Sequence, residues 1–159
     1  MKPEAGQCLC GRVAYQVIDA PQKVMICHCT FCQRATGAAY MIDALFRAAD
    51  VLLTASEPAK YTHVSDTSGK KIPVHFCRTC GTKNHLQLEI LPDFVGVGTF
   101  DNPDWFDRSP AAATHIFVAS ALQGTVLPIG ARVFEHGPVD ETGTRLSPEV
   151  LPEHRIITR

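Results

Sequence analysis

A chain of 159 residues with 45% hydrophobic composition has the size and apolar content of one globular domain. Its charge is nearly balanced, 15 Lys+Arg against 16 Asp+Glu, and no stretch collects a block of basic residues, which disfavours nucleic acid and anionic membranes as partners. The opening MKPEAGQCLCGRVAY has no apolar signal core, and nowhere do the roughly 18 uninterrupted apolar residues of a membrane span occur, so the expected address is the cytoplasm.

In chain order, RVAYQVI alternates, with Val13, Tyr15 and Val17 on one face and Arg12, Ala14 and Gln16 on the other, and predicts a half-buried strand. KVMIC predicts a second strand that leads into a cysteine cluster, and AAYMIDALF after Gly37 a third. RAADVLLT is short and ambiguous in its apolar spacing and reads as a helical turn. AKYTHV and KKIPVHFC flank the turn-forming SDTSG, a hairpin that delivers Cys77. NHLQLEI turns Leu86, Leu88 and Ile90 inward, DFVGVGTF is a strand stopped by the turn residues DNPDW, and THIFVAS is another strand. GVGTF lacks the full glycine pattern and following helix of a phosphate loop and is rejected as one. Short strands with frequent Gly and Pro breaks predict a mainly antiparallel β domain over residues 1–135. Residues 136–159 lose periodicity and read as an irregular tail, packed or mobile.

The chain has seven cysteines, all between Cys8 and Cys80. The odd count, the crowding and the expected reducing address favour metal binding over disulfides. Cys8 and Cys10 in CLCG, if extended, turn their side chains to one side, and Cys77 and Cys80 in FCRTCGT have the C-x-x-C spacing of a zinc knuckle, with Gly81 suited to the tight backbone after it. These two pairs make one closed tetrahedral site. CHCTFC is then left with three ligands, Cys27, Cys29 and Cys32. Such a site is either of the catalytic kind, with a position for water or substrate, or is closed by one of the seven histidines. Three thiolates on a +2 ion leave an electron-rich centre that suits a soft ligand, so formation or breakage of a C–S bond fits better than hydrolysis.

GQCLCGRVAY, CHCTFCQRATGAA, FCRTCGT and VGTFDNP, in this order over residues 6 to about 103, resemble the glutathione-dependent formaldehyde-activating enzyme family, which also contains centromere protein V. HIFV at His115–Val118 is similar to a later family strand, although the ALQGTV that follows departs from relatives carrying a Lys and a Trp there. The resemblance implies a β-tent fold of small antiparallel sheets organised around two Zn2+ ions. It implies a structural zinc on Cys8, Cys10, Cys77 and Cys80 and a catalytic zinc on Cys27, Cys29 and Cys32. The activity it implies is a carbon–sulfur lyase run in the synthetic direction, joining glutathione and formaldehyde into S-hydroxymethylglutathione.

Beyond the cysteines, Arg34 is a candidate to hold a substrate carboxylate by a bidentate contact, or else fixes its loop by a salt bridge. Thr36 and Gly37 shape the turn into the next strand, and Gly37 also offers room for a substrate near the metal. Phe31 and Tyr40 are read as core in preference to pocket walls, and Trp105 as the staple of its loop. The leading reading is a zinc enzyme acting on a thiol adduct of a small aldehyde or related electrophile. The alternative is a noncatalytic thiol carrier or protein-binding zinc module. A redox enzyme is a third reading, disfavoured because no cysteine follows Cys80. Whether the chain forms a homo-oligomer is left open.

Overall fold

The alternation in RVAYQVI carries through to burial: Val13, Tyr15 and Val17 are buried and Gln16 is exposed, as a strand with one face in a core requires. This is a computed structural model that describes residues 3–66, 68–89, 91–140 and 142–158. Thr67 of the hairpin turn and Ile90, expected to face inward, lie outside the described residues. In chain order the elements are β1 (Glu4–Gln7), β2 (Ala14–Val17), β3 (Lys23–Cys27), helix α1 (Thr30–Thr36), β4 (Met41–Arg47), β5 (Val51–Leu53), β6 (Ala59–Val64) and β7 (Lys71–Phe76). There follow β8 (Lys83–Leu88), β9 (Leu91–Val97), β10 (Ala113–Ile116), β11 (Val126–Leu127), β12 (Arg132–Val133), β13 (Glu149–Val150) and β14 (Arg155–Ile156). The protein is mainly β, built of small, largely antiparallel sheets with one α-helix among the described residues. That helix is not long and apolar enough to cross a membrane.

The chain divides into two compact units. The first takes Met1–Lys23 and Ala44–Phe106. In it β2 lies between β1 and β5, and β4, β9, β8, β7 and β6 follow one another as an antiparallel array. The β6–β7 hairpin has the expected register, Ala59 opposite Phe76 and Val64 opposite Lys71. RAADVLLT, expected as a helical turn, splits in two: Ala48–Asp50 form a 3-10 turn and Val51–Leu53 form β5 against β2. The core is Tyr15, Val17, Ala44 and Phe46, with Phe100, Trp105 and Phe106 packed on it. Trp105 stacks on Phe46 at 6.2 Å, so it staples its loop as expected. Gly6 is dictated by close approach: a Cβ there would overlap the Tyr15 ring and the Thr99 carbonyl.

The second unit takes Val24–Asp43 and Asp107–Arg159. Its sheet runs β13, β12, β10, β3, and β10 departs from the mainly antiparallel pattern by lying parallel to both β3 and β12. THIFVAS is a strand only to Ile116. Phe117 takes a left-handed conformation (φ 58°), and Val118–Ser120 then form a 3-10 turn. β11 pairs with β14 as a separate ribbon. Val118, Leu127, Ala131, Val133 and Leu151 form the core of this unit, and Leu127 and Leu151, 0% and 2% exposed, each contribute about 1.5–3 kcal/mol by leaving water.

Candidate metal centres

In the first unit, β1 runs straight into a turn. Cys8 N–H donates to the Val13 carbonyl and Gly11 N–H to the Cys8 carbonyl, each at 2.9 Å, with Gly11 at φ 73°. The two sulfurs therefore converge by a curled turn and not by the extended spacing expected. Opposite them β7 ends at Phe76, Gly81 N–H donates to the Cys77 carbonyl at 2.9 Å, and Gly81 takes φ 75°, the tight backbone expected after the C-x-x-C. The sulfurs of Cys8, Cys10, Cys77 and Cys80 all lie within 4.8 Å of one another. Cys8 to Cys10 is 3.5 Å and Cys10 to Cys77 is 3.7 Å. A tetrahedral ion with ~2.3 Å metal–sulfur bonds needs S···S edges of about 3.8 Å, so this donor set fits zinc in chemistry and in size.

The protonation of these thiols is uneven. The Thr82 hydroxyl, 3.2 Å from its sulfur, and the Thr82 N–H bring Cys80 down to about 5. The Arg12 N–H draws Cys10 downward, but burial and the neighbouring sulfurs outweigh it and push Cys10 up to about 11. Burial works against Cys8, yet the Val13 N–H, 3.3 Å from its sulfur, and the Cys10 and Cys77 thiols carry it below the usual thiol range. A thiol set already holding negative charge is prepared for a cation.

In the second unit, β3 ends at buried Cys27 and α1 begins three residues later, a helix absent from the elements expected on periodicity. Cys29 is its N-cap: the backbone is extended there (φ −65°, ψ 155°), and its sulfur accepts the Cys32 N–H at 3.4 Å. Cys32 faces inward from the first turn and is 4% exposed. Gly37 closes the helix in the left-handed conformation (φ 67°), its N–H donating to the Gln33 carbonyl at 2.8 Å. A Cβ on Gly37 would meet nothing within 4 Å, so the left-handed backbone, and not a crowding protein neighbour, accounts for glycine here. Residue order does hold signals for this helix: a capping-type residue, a short run, then a glycine.

The sulfurs of Cys27, Cys29 and Cys32 lie within 4.8 Å of one another, and among the described residues of this unit no further histidine, cysteine or carboxylate joins them. The Cys27 and Cys32 thiols donate to Cys29, which with the Cys32 and Phe31 N–H groups pulls it down to about 3. The same contact with Cys29 pushes Cys27 up to about 12, and Cys27 and Cys29 together raise Cys32. Of the three, Cys29 is the sulfur whose neighbours favour the thiolate. Three soft donors suit zinc as well.

His28, between two of the thiols, does not join them. Its Nε2 lies 3.1 Å from Nδ1 of His115, the rings stack at 5.4 Å, and Tyr40 meets the His28 ring edge-on at 5.4 Å. Burial, with His115 beside it, lowers His28 to about 4, and burial also lowers His115. Nothing in residue types or spacing points to this pair, because its members are 87 residues apart. Arg34 sits exposed on the last turn of α1, and among the described residues its side chain has no ion-pair or hydrogen-bond partner. Tyr40 is 40% exposed and so is not the core residue expected, while Phe31 is half-buried.

This mainly β chain gathers its cysteines into one cluster of four and one of three, two sets of soft donors able to take metal ions. The family model of the glutathione-dependent formaldehyde-activating enzyme matches residues 3–120, and the chain belongs to that family. Among solved structures it is similar to the crystal structure of a Rhodobacter sphaeroides protein, at 29% identity over 58% of this chain and 82% of that one, with a TM-score of 0.45. No curated protein matches it.

Proposed function

We propose that the protein is a zinc-dependent carbon–sulfur lyase of the formaldehyde-activating type, joining a thiol to a small aldehyde or related electrophile, or cleaving the adduct. The observation that carries this reading is the unequal donor count, four sulfurs in one cluster and three in the other. In this reading Cys8, Cys10, Cys77 and Cys80 hold a structural zinc, Cys27, Cys29 and Cys32 hold a catalytic one, and the sheets take the β-tent arrangement of the family. A bound zinc ion supplies a Lewis-acid position at which a thiol gives up its proton more readily.

Atoms balance without an oxidant or reductant. In the synthetic direction the thiol S–H bond and the carbonyl π bond break, a C–S bond and an O–H bond form, and the reverse releases thiol and aldehyde. The chain's own contributions are positioning. Cys27, Cys29 and Cys32 converge at the junction of β3 and α1. In this reading Arg34, exposed two residues past Cys32 and without an ion-pair partner among the described residues, takes a carboxylate of the thiol substrate, which glutathione offers.

Two measurements test the reading. Purified protein is expected to hold two zinc ions per chain, with Cys32→Ser losing one and keeping its fold. NMR exchange between labelled formaldehyde and its glutathione adduct is expected to be faster with the wild type than with Cys32→Ser. Two ions with no acceleration would leave a thiol carrier or a protein-binding zinc module. Arg34→Ala is expected to raise KM for glutathione roughly tenfold, the size of one charged hydrogen-bonded contact, and to leave that for 2-mercaptoethanol unchanged. Equal KM changes for both thiols would remove Arg34 from the substrate site.

A further inference from the structure

His28 is fully buried and His115 is 6% exposed. Two imidazoles placed out of water need a reason, because each brings two polar nitrogens that must find partners. The sulfurs of Cys27 and Cys29 gather with that of Cys32, whereas the His28 ring between them goes to His115. Residue 28 is held at three points. Its N–H donates to the Ile116 carbonyl at 3.0 Å, its carbonyl accepts from Gln33 Nε2 at 2.6 Å, and its ring meets His115 at 3.1 Å. Gln33 also donates to the Ser120 carbonyl at 2.9 Å. His115 belongs to β10, opposite Ile26 in parallel register, so the strand that holds β3 also supplies the ring that holds His28.

The remaining ring nitrogen assigns the tautomer. Among the described residues, nothing hydrogen-bonds the buried Nδ1 of His28. An orphaned N–H is costlier and rarer than an unused lone pair, so the proton belongs on Nε2, which donates to the Nδ1 lone pair of His115. The backbone contacts of residue 28 would serve any amino acid there. The ring contact instead needs a donor at the Nε2 position of residue 28 and an acceptor at the Nδ1 position of residue 115.

We propose that His115 is a positioning residue for the three-cysteine centre: its Nδ1 anchors the His28 ring, which fixes the backbone between Cys27 and Cys29 and so the spread of their sulfurs. The proposal rests on the reading that this cluster holds a metal. Outer partners of this kind are worth roughly 10–100-fold in metal affinity.

The nitrogen identity provides the test. An Asn amide reproduces the position of imidazole Nδ1 and a Gln amide that of Nε2, so the two substitutions are matched in polarity and differ in reach. Full-length wild type, Cys32→Ser, His115→Asn and His115→Gln are titrated anaerobically with Co2+ against a chelator, following the absorption bands of thiolate-bound cobalt. Wild type is expected to take two ions and Cys32→Ser one. His115→Asn is expected to bind the second ion within about threefold of wild type, and His115→Gln roughly 10–100-fold more weakly with altered bands, while the first ion binds both variants equally. The pattern reverses at the other ring: His28→Gln retains the second ion and His28→Asn weakens it. Equal second-ion affinity in His115→Asn and His115→Gln overturns the proposal. So does loss of both ions from His115→Gln and His28→Asn alike, which would make the pair a support of the fold. A wild type that takes only one ion, or a Cys32→Ser variant that still takes two, overturns the metal reading itself.

Discussion

The Cys32 backbone N–H donates to the Cys29 sulfur at 3.4 Å, so a candidate metal ligand is at the same time the N-cap of the helix that presents the next ligand. Capping and metal binding ask different things of the side chain. A cap needs only an acceptor, whereas a soft cation needs a thiolate.

Serine and alanine at position 29 therefore separate the two roles. Cys29→Ser is expected to lose the ion of the three-cysteine cluster and keep the helix start, since serine is a strong N-cap. Cys29→Ala loses both. In metal-free protein the alanine variant is expected to be less stable than the serine variant by about 1 kcal/mol, read from urea unfolding midpoints. Equal midpoints would show that the sulfur does not cap the helix in solution.

His75 and His85 face each other across β7 and β8 with rings stacked at 4.1 Å, and among the described residues the buried Nε2 of His75 has no hydrogen-bond partner. Burial and the neighbouring His75 lower His85 to about 4, and burial, with a smaller effect from Lys60, lowers His75, against the opposing influence of Gln87 and Glu57. These rings bind protons less readily folded than unfolded, so the stability they confer is complete above the unfolded value of about 6.5 and is lost as pH falls towards 4. His85→Phe keeps a stacked ring that cannot titrate. Its urea midpoint is expected to fall less than that of the wild type between pH 7 and pH 5. A larger fall would reverse the sign of the argument.

Gly6 pairs with Phe100 and lies against the Tyr15 ring, whose hydroxyl is 3.3 Å from the Thr99 hydroxyl. Gly6→Ala must displace Tyr15 or the Thr99 backbone, at a cost of about 1–3 kcal/mol. Thermal unfolding checks this, and because β1 leads directly into Cys8, the variant is also expected to release the ion of the four-cysteine cluster more readily to a chelator. An unchanged melting temperature would show that β1 can shift without harm.

The partition of cysteines is legible in the sequence because chelation by near neighbours is a local property. Cys8 with Cys10, Cys77 with Cys80, and the Cys27–Cys32 run each contract to one point through a single turn, and the fold brings the two pairs of the first unit into one cluster and gathers the triplet in the second. Alternation likewise places Val13, Tyr15 and Val17 in a core, since a strand's two faces depend only on parity. Helix α1 escapes any reading that takes its cysteines solely as ligands, although Cys29 has an acceptor to offer the backbone and Gly37 a left-handed turn.

What residue order alone determined was the soft donor set, its division into clusters, and the strands that carry them. Tertiary structure decided the parallel pairing of β10 with β3 and, through it, the meeting of His28 with His115. Periodicity reports which side of a strand is buried, but the partner that arrives on that side comes from 87 residues away, and no local pattern encodes its register.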